Sequence, residues 1–368
     1  MPRRPYKKGR APVRGPGLLL LLALACAACS TQQGPQAERG PAVFFPPPPS
    51  TPRLQHLASW SSATEMGAGG GGFRKFVLGE QPDTVFAKPY GLALANGSLF
   101  VCDTGSNSVV TYNFAQQKAG QLGARHPGKL AKPINIAVAG DGTRYVADTV
   151  LGRVMVYEPD DTYRGALGDP EAWTPSDVAI AGDTLYVTDI ANGQVVLINR
   201  HDGRELRRLG TKGSGKGQLF LPTNVELFDR KVYVSDTGNF RISVFDTSGN
   251  HLHHVGSLGR SPGQFARPKG IALDRQGQLY VVDAAFENLQ LFDRDGRLLL
   301  VFGGPGAGPG DLNLPAQVEI DYENVDLFSD RVAPGYSLQY LLLVASQYGR
   351  NKINVYGFLL PLPDGGGS

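Results

Sequence analysis

Asn135, Asp177, Asn224 and Gln317 stand at the same point of a recurring phrase, each two residues after a proline. Whatever fold repeats the phrase must bring these side chains to equivalent places. Two residues further on, Ala93, Ala137, Ala179 and Ala272 give way to Glu226 and Glu319 in two copies. Amide and carboxylate oxygens gathered at one point are the donors a hard cation such as calcium takes. Asn135, Asp177, Asn224 and Glu226 are therefore the candidate ligand set. Arg153, Arg241 and Arg350 are expected beside these groups from neighbouring loops.

Other chemistry-bearing residues read as structural. Asp103, Asp148, Asp189, Asp236 and Asp283 each close the second apolar run of a copy. An Asp leaving a strand bonds the backbone N–H groups of its own turn, and a single site would not need it in every copy. These are expected to be turn anchors. His251, His253 and His254 fall in an outer strand, where alternation puts His251 and His253 on one face, and they read as solvated. Gly213-Ser-Gly-Lys216-Gly lacks the strand–loop–helix setting of a phosphate loop, and there is no Gly-x-Ser-x-Gly nucleophile turn. No catalytic residue is assigned.

The elements that position these groups follow from the repeat itself. Phe86-Ala-Lys-Pro89-Tyr-Gly91 begins a phrase that returns at Pro133, Pro175, Pro222, Pro268 and Pro315, at intervals of 44, 42, 47, 46 and 47 residues. The fifth copy reads Gly270-Ile-Ala-Leu-Asp274, then Leu279-Tyr-Val-Val-Asp283, then Asn288-Leu-Gln-Leu-Phe292. Such short β-runs, punctuated by Gly and Asp, predict an antiparallel meander with a fourth strand between copies. Six copies predict an all-β, six-bladed propeller with four-stranded antiparallel blades from about 73 to 357 and a tail over 358–368. Each proline belongs at the start of a first strand, because it cannot donate to a ladder.

The pattern Pro-x-Gly-Ile-Ala-Leu-Asp, Gly-x-Leu-Tyr-Val-x-Asp, Asn-x-x-Ile-x-Val-Phe-Asp resembles the NHL repeat over about three quarters of the chain. It is strong in copies two, four and five, whereas copy six puts Ser346 in place of the Asp and inserts roughly 322–338. The resemblance implies a six-bladed propeller. Some NHL propellers bind RNA through a basic face, and amidating lyases of this type hold zinc with histidines that have no counterparts at those repeat positions here. Gluconolactonases and paraoxonase-like hydrolases, related by blade number, hold calcium on the axis.

The amino terminus has the form of an export signal. Arg3, Arg4, Lys7, Lys8, Arg10 and Arg14 precede the apolar run Leu18–Ala25, which is too short to span a bilayer. Ala23-Leu-Ala-Cys26-Ala-Ala-Cys29 resembles a lipobox, so residues 1–25 are expected to leave and Cys26, or alternatively Cys29, to carry lipid. Residues 26–72, rich in Pro, Gln, Ser and Gly, read as a tether. Within them, 53–58 could add a strand to the propeller, while Phe73–Leu78 is expected to close the ring beside Lys352–Tyr356.

The whole chain carries +3, but loss of the six basic signal residues leaves the remainder at about −3. That balance argues against nucleic acid as a partner. Three cysteines, two of them at the processing site, exclude a disulfide framework, and Cys102 is expected to be a buried thiol. The leading expectation is a non-enzymatic scaffold in a bacterial cell envelope, facing the periplasm or outside. It would be bound to membrane through its lipid alone, take an envelope protein or ligand as partner and need no cofactor. The alternative is a calcium-dependent hydrolase, lactonase-like enzyme or lyase with its site at the central channel.

Overall fold

The computed structural model describes residues 1–2, 41–67 and 84–363, and the unit from Val43 onward contains the propeller. Six antiparallel sheets follow one another in chain order. Blade five is representative: Pro268–Leu273, Leu279–Asp283, Asn288–Phe292 and Leu298–Gly303 pair in sequence. Every first strand starts at its proline, and the ladder slips directly after it. A residue without an N–H forfeits one rung, and the bulge absorbs that loss. First strands of adjacent blades touch all the way round, from Pro89–Ala95 back to Pro315–Asp321, so they line the axis.

The core lies between blades rather than at one centre. Tyr233 and Val244 of blade four, for example, share a cluster with Ile271, Val281 and Phe292 of blade five. Second strands bury both faces, which is why Leu279-Tyr-Val-Val reads as unbroken apolar sequence. Cys102 lies in such a strand, and burial with Asp177, Asp148 and Asp103 nearby raises its thiol well above its ordinary range.

The repeated aspartates do more than hold their own turns. Asp283 accepts the N–H groups of Ala285 and Phe286 after it, and those of Ala266 and Arg267 in the loop leading to its own first strand. Asp103 and Asp148 do the same in blades one and two. In blade six the Ser346 hydroxyl accepts only the first of those loop N–H groups, that of Asn313 at 3.3 Å. There the carboxylate of Glu287, from blade five, accepts Leu314 N–H at 2.8 Å instead.

Ring closure differs from the expectation. The strand beside Ile353–Pro361 is Leu54–Trp60, drawn from the stretch read as tether, and Phe44–Phe45 pairs outside it. Phe73–Leu78 lies outside the described residues, and the edge it was expected to cover is already taken. The reason lies in side-chain packing: Leu54 enters the core between blades five and six, while Leu57, Ala58 and Trp60 enter the core between blades six and one, so the strand is buried from both sides. The blade-six insertion seats this strand. Its 3-10 helix Val325–Arg331 buries Phe328 against Trp60, with ring centroids 5.9 Å apart, and the Gln55 amide bonds Arg331 O and Ala333 N–H. Phe328 is thus a packing residue. Tyr336 lies in the long second strand, 5.9 Å from the Phe44 ring.

Candidate functional site

The polar residues two places after each proline do converge. Asn135, Asp177, Asn224 and Gln317 are all buried on first strands. Asn224 Nδ2 donates to Gln317 Oε1 at 2.9 Å, linking blade four to blade six. Asp177 accepts the N–H of Val178 at 2.8 Å and of Val225, in blade four, at 2.9 Å. Blades one and five carry Gly91 and Gly270 at this level because there is no room for more. A Cβ on Gly91 would sit 2.2 Å from Asn135 Oδ1, and one on Gly270 would sit 2.4 Å from Gln317 Cα.

Glu226 and Glu319 sit one side chain deeper along the same strands. They keep some accessible surface yet are surrounded by protein. Loss of water disfavours the charged form of a carboxyl. Burial lifts Glu226 to about 7 against its single bond from Leu227 N–H. It lifts Asp177 to about 8, with Glu226 adding to the rise. Glu319 is raised well above the ordinary range by burial first, then by Glu226 and Asp177. Asn224 Oδ1 is buried with no hydrogen-bond partner among the described residues. Among the described residues no three His, Cys, Asp or Glu side chains form a metal-binding group.

The arginines expected beside this ring are elsewhere. Arg153 and Arg241 begin third strands, two strands out from the axis. Arg241 is committed to Asp236 Oδ2 at 2.9 Å and to the carbonyls of Gly215 and Gln218. Arg350 lies exposed in the blade-six turn. The histidine pairing also changes. The ladder slips between Val244 and Phe245, which turns His251 toward His254, with rings 6.3 Å apart, rather than toward His253.

Nearer the proline-bearing face are residues the repeat pattern did not single out. Lys269 is buried, and its Nζ donates to Tyr90 Oη at 2.8 Å between blades five and one. Tyr348 lies under both Lys88 and Lys352, 5.4 and 5.8 Å from its ring centroid. A lysine directly after the proline, where other copies have Tyr, Ile, Ser, Thr or Ala, was the available signal.

The two faces differ in charge. Loops on the proline-bearing face expose Arg125, Lys129, Lys132, Lys216, Arg267 and Arg350, against Glu65, Asp169 and Glu171 as exposed carboxylates among the described residues. Turns of the opposite face expose Asp141, Asp160, Asp183, Asp229, Asp295 and Asp326, interspersed with arginines. Val150, Leu258 and Tyr348, 65, 63 and 52 % exposed, lie on the basic face.

Residues 218–285 match a family model described as a 6-bladed beta-propeller (DUF5128). Among solved structures, the chain is similar to a gluconolactonase from Xanthomonas campestris at 17 % identity. That likeness has a TM-score of 0.56 and covers 87 % of this chain and 98 % of the other. A protein of unknown function from Bacteroides thetaiotaomicron matches at 21 % identity and a TM-score of 0.56, over 75 % of this chain and 70 % of that one. Virginiamycin B lyase from Staphylococcus aureus matches at 15 % and 0.52, over 75 and 85 %. At such identities the likeness is one of fold, and the fold is a six-bladed β-propeller.

Proposed function

We propose that the chain is an exported propeller of the NHL-repeat type that binds an envelope partner through its proline-bearing face. A lipid on Cys26 or Cys29, both outside the described residues, would hold it to the membrane. The observation that carries this reading is the division of charge between the faces, with exposed Tyr348, Val150 and Leu258 on the basic one. Aromatic and apolar groups among cations suit an acidic protein surface with an apolar centre. The test is capture of partners from solubilised envelopes by the full chain. Lys132→Glu, Arg267→Glu and Arg350→Glu together should cut capture about tenfold, while Asp141→Lys, Asp183→Lys and Asp295→Lys together should not. Equal loss from both variants would contradict the assignment of the face.

One observation favours a second reading, a calcium-dependent hydrolase or lyase. Asn224 Oδ1 lies buried and unpartnered on the axis that Asp177 and Glu226 share. The donors fit calcium in type, and Asn135, Asp177, Asn224 and Glu226 would hold it. A bound ion would polarise a carbonyl or phosphoryl oxygen. The gluconolactonase and lyase likenesses, being of fold, add little to this reading. A stoichiometric divalent ion that survives dialysis and is lost in Glu226→Gln would favour it over the scaffold.

A further inference from the structure

Beside blade two, away from the axis, lies an open recess of about 300 Å³. We propose that it is a site for a small organic oxyanion, a carboxylate or phosphate joined to a compact apolar group. Arg153, Lys129 and His126 supply its polar edge and Leu151, Met155 and Tyr163 its apolar wall. Among the described residues no carboxylate lines it.

Two arginines at one repeat position differ in their partners. Arg241 and Arg153 both stand five residues after the anchoring Asp and directly across the ladder from it. In blade four the Asp236 carboxylate takes one backbone N–H from the preceding loop, that of Phe220, and gives Oδ2 to side chains, Arg241 at 2.9 Å with Asn239 and Ser243. Carbonyls of Gly215 and Gln218 accept from its Nη2. In blade two the Asp148 oxygens are spent on the N–H groups of Ala131, Lys132, Val150 and Leu151. Arg153 is left half-buried, with no hydrogen bond or ion pair among the described residues.

An arginine whose stem is packed and whose guanidinium has no protein partner holds its donors free at the edge of the recess. Its planar fork matches two oxygens of a carboxylate or phosphate, and Lys129 on the facing loop adds a second point charge. The recess is built rather than incidental. Tyr157 Oη donates to Gly128 O at 2.5 Å and pins the loop that carries Lys129. Gly128, at φ +81°, lies so close to Tyr163 that a Cβ there would be 2.5 Å from the ring. The aromatic wall and the cationic rim are therefore held at a fixed separation.

Isothermal titration of the full chain with inorganic phosphate, phenyl phosphate and benzoate tests the site. At least one aromatic anion should bind more tightly than inorganic phosphate, and a preference between the two names the anionic group. Arg153→Gln should weaken that binding about tenfold or more, and Lys129→Gln less. Arg260→Gln, exposed and outside the recess, should leave it unchanged. Equal affinity in wild type and Arg153→Gln, or no titration by any of the three below about 10 mM, would overturn the proposal. If Arg153→Gln fails to fold, unchanged affinity in the exposed Lys129→Gln variant overturns it as well.

Discussion

Asn224 Nδ2 and Gln317 Oε1 meet at 2.9 Å although 93 residues and an entire blade separate them. The bond passes the first strand of blade five, where Gly270 offers no side chain. Gly270→Ala would place its Cβ 2.4 Å from Gln317 Cα, a backbone atom that no rotamer change can relieve. Such overpacking typically costs about 1–3 kcal/mol. We expect a correspondingly lower urea midpoint for Gly270→Ala and little change for Gly140→Ala, where a Cβ meets nothing within 4 Å. Equal midpoints would mean that the axis is looser than described.

The axial carboxyls predict a pH dependence with a definite sign. Asp177 and Glu226 are raised to about 8 and about 7, from ordinary values of 3.8 and 4.5. Between those limits the folded chain holds protons that the unfolded chain has released. Stability from these groups is full below about pH 4 and is lost as pH rises through 7 to 8, by about 1.4 kcal/mol per pH unit per group. Urea midpoints should fall from pH 5 to pH 8, and Asp177→Asn with Glu226→Gln should flatten that slope. A slope unchanged by both substitutions would contradict the assignment. Flattening of the wild-type slope by added calcium would speak for the second functional reading.

Closure by Leu54–Trp60 makes the residues before the first repeat part of the fold. Trp60→Ala would open a hole against Phe328 and Phe114, at about 3–5 kcal/mol. Starting the chain at residue 61 would bare the edge of Ile353–Pro361 and promote association. Thermal melts and light scattering read the two effects. A truncated chain as stable and monodisperse as the full one would refute the role of this strand.

Blade count, strand order and the turn aspartates were legible because each is written several times in the sequence. A pattern repeated in five copies separates architecture from local accident, as Asp283 and its counterparts show. The axial ring was legible for the same reason: Asn135, Asp177, Asn224 and Gln317 share one repeat position, and position fixes direction on a strand. What the repeats do not encode was less legible: 53–58 reads as an added strand, but not as the one that closes the ring. Leu54–Trp60 occurs once, among prolines, and pairs with residues about 300 positions away. Arg153 and Arg241 look equivalent in sequence, yet their surroundings differ through how many backbone N–H groups the neighbouring aspartate accepts. The bulge in His251–Val255 reversed the expected histidine pairing, because alternation assumes an unbroken ladder.

The envelope assignment has its own test. Substituting both Cys26 and Cys29 by Ser should move the protein from the membrane fraction to the soluble fraction. Each single substitution should show which cysteine carries the lipid. A double variant that stays with the membrane to the same extent would remove the anchor from the account.

Site-specific photo-crosslinking in intact envelopes tests the central claim most directly. A photoreactive residue at Tyr348, exposed on the basic face, is compared with one at Asp295, exposed on the opposite face. A discrete crosslinked species is expected from position 348, absent from position 295 and diminished by Lys132→Glu with Arg267→Glu. The same species from both positions, or none from 348 while 295 gives one, would contradict binding through the proline-bearing face.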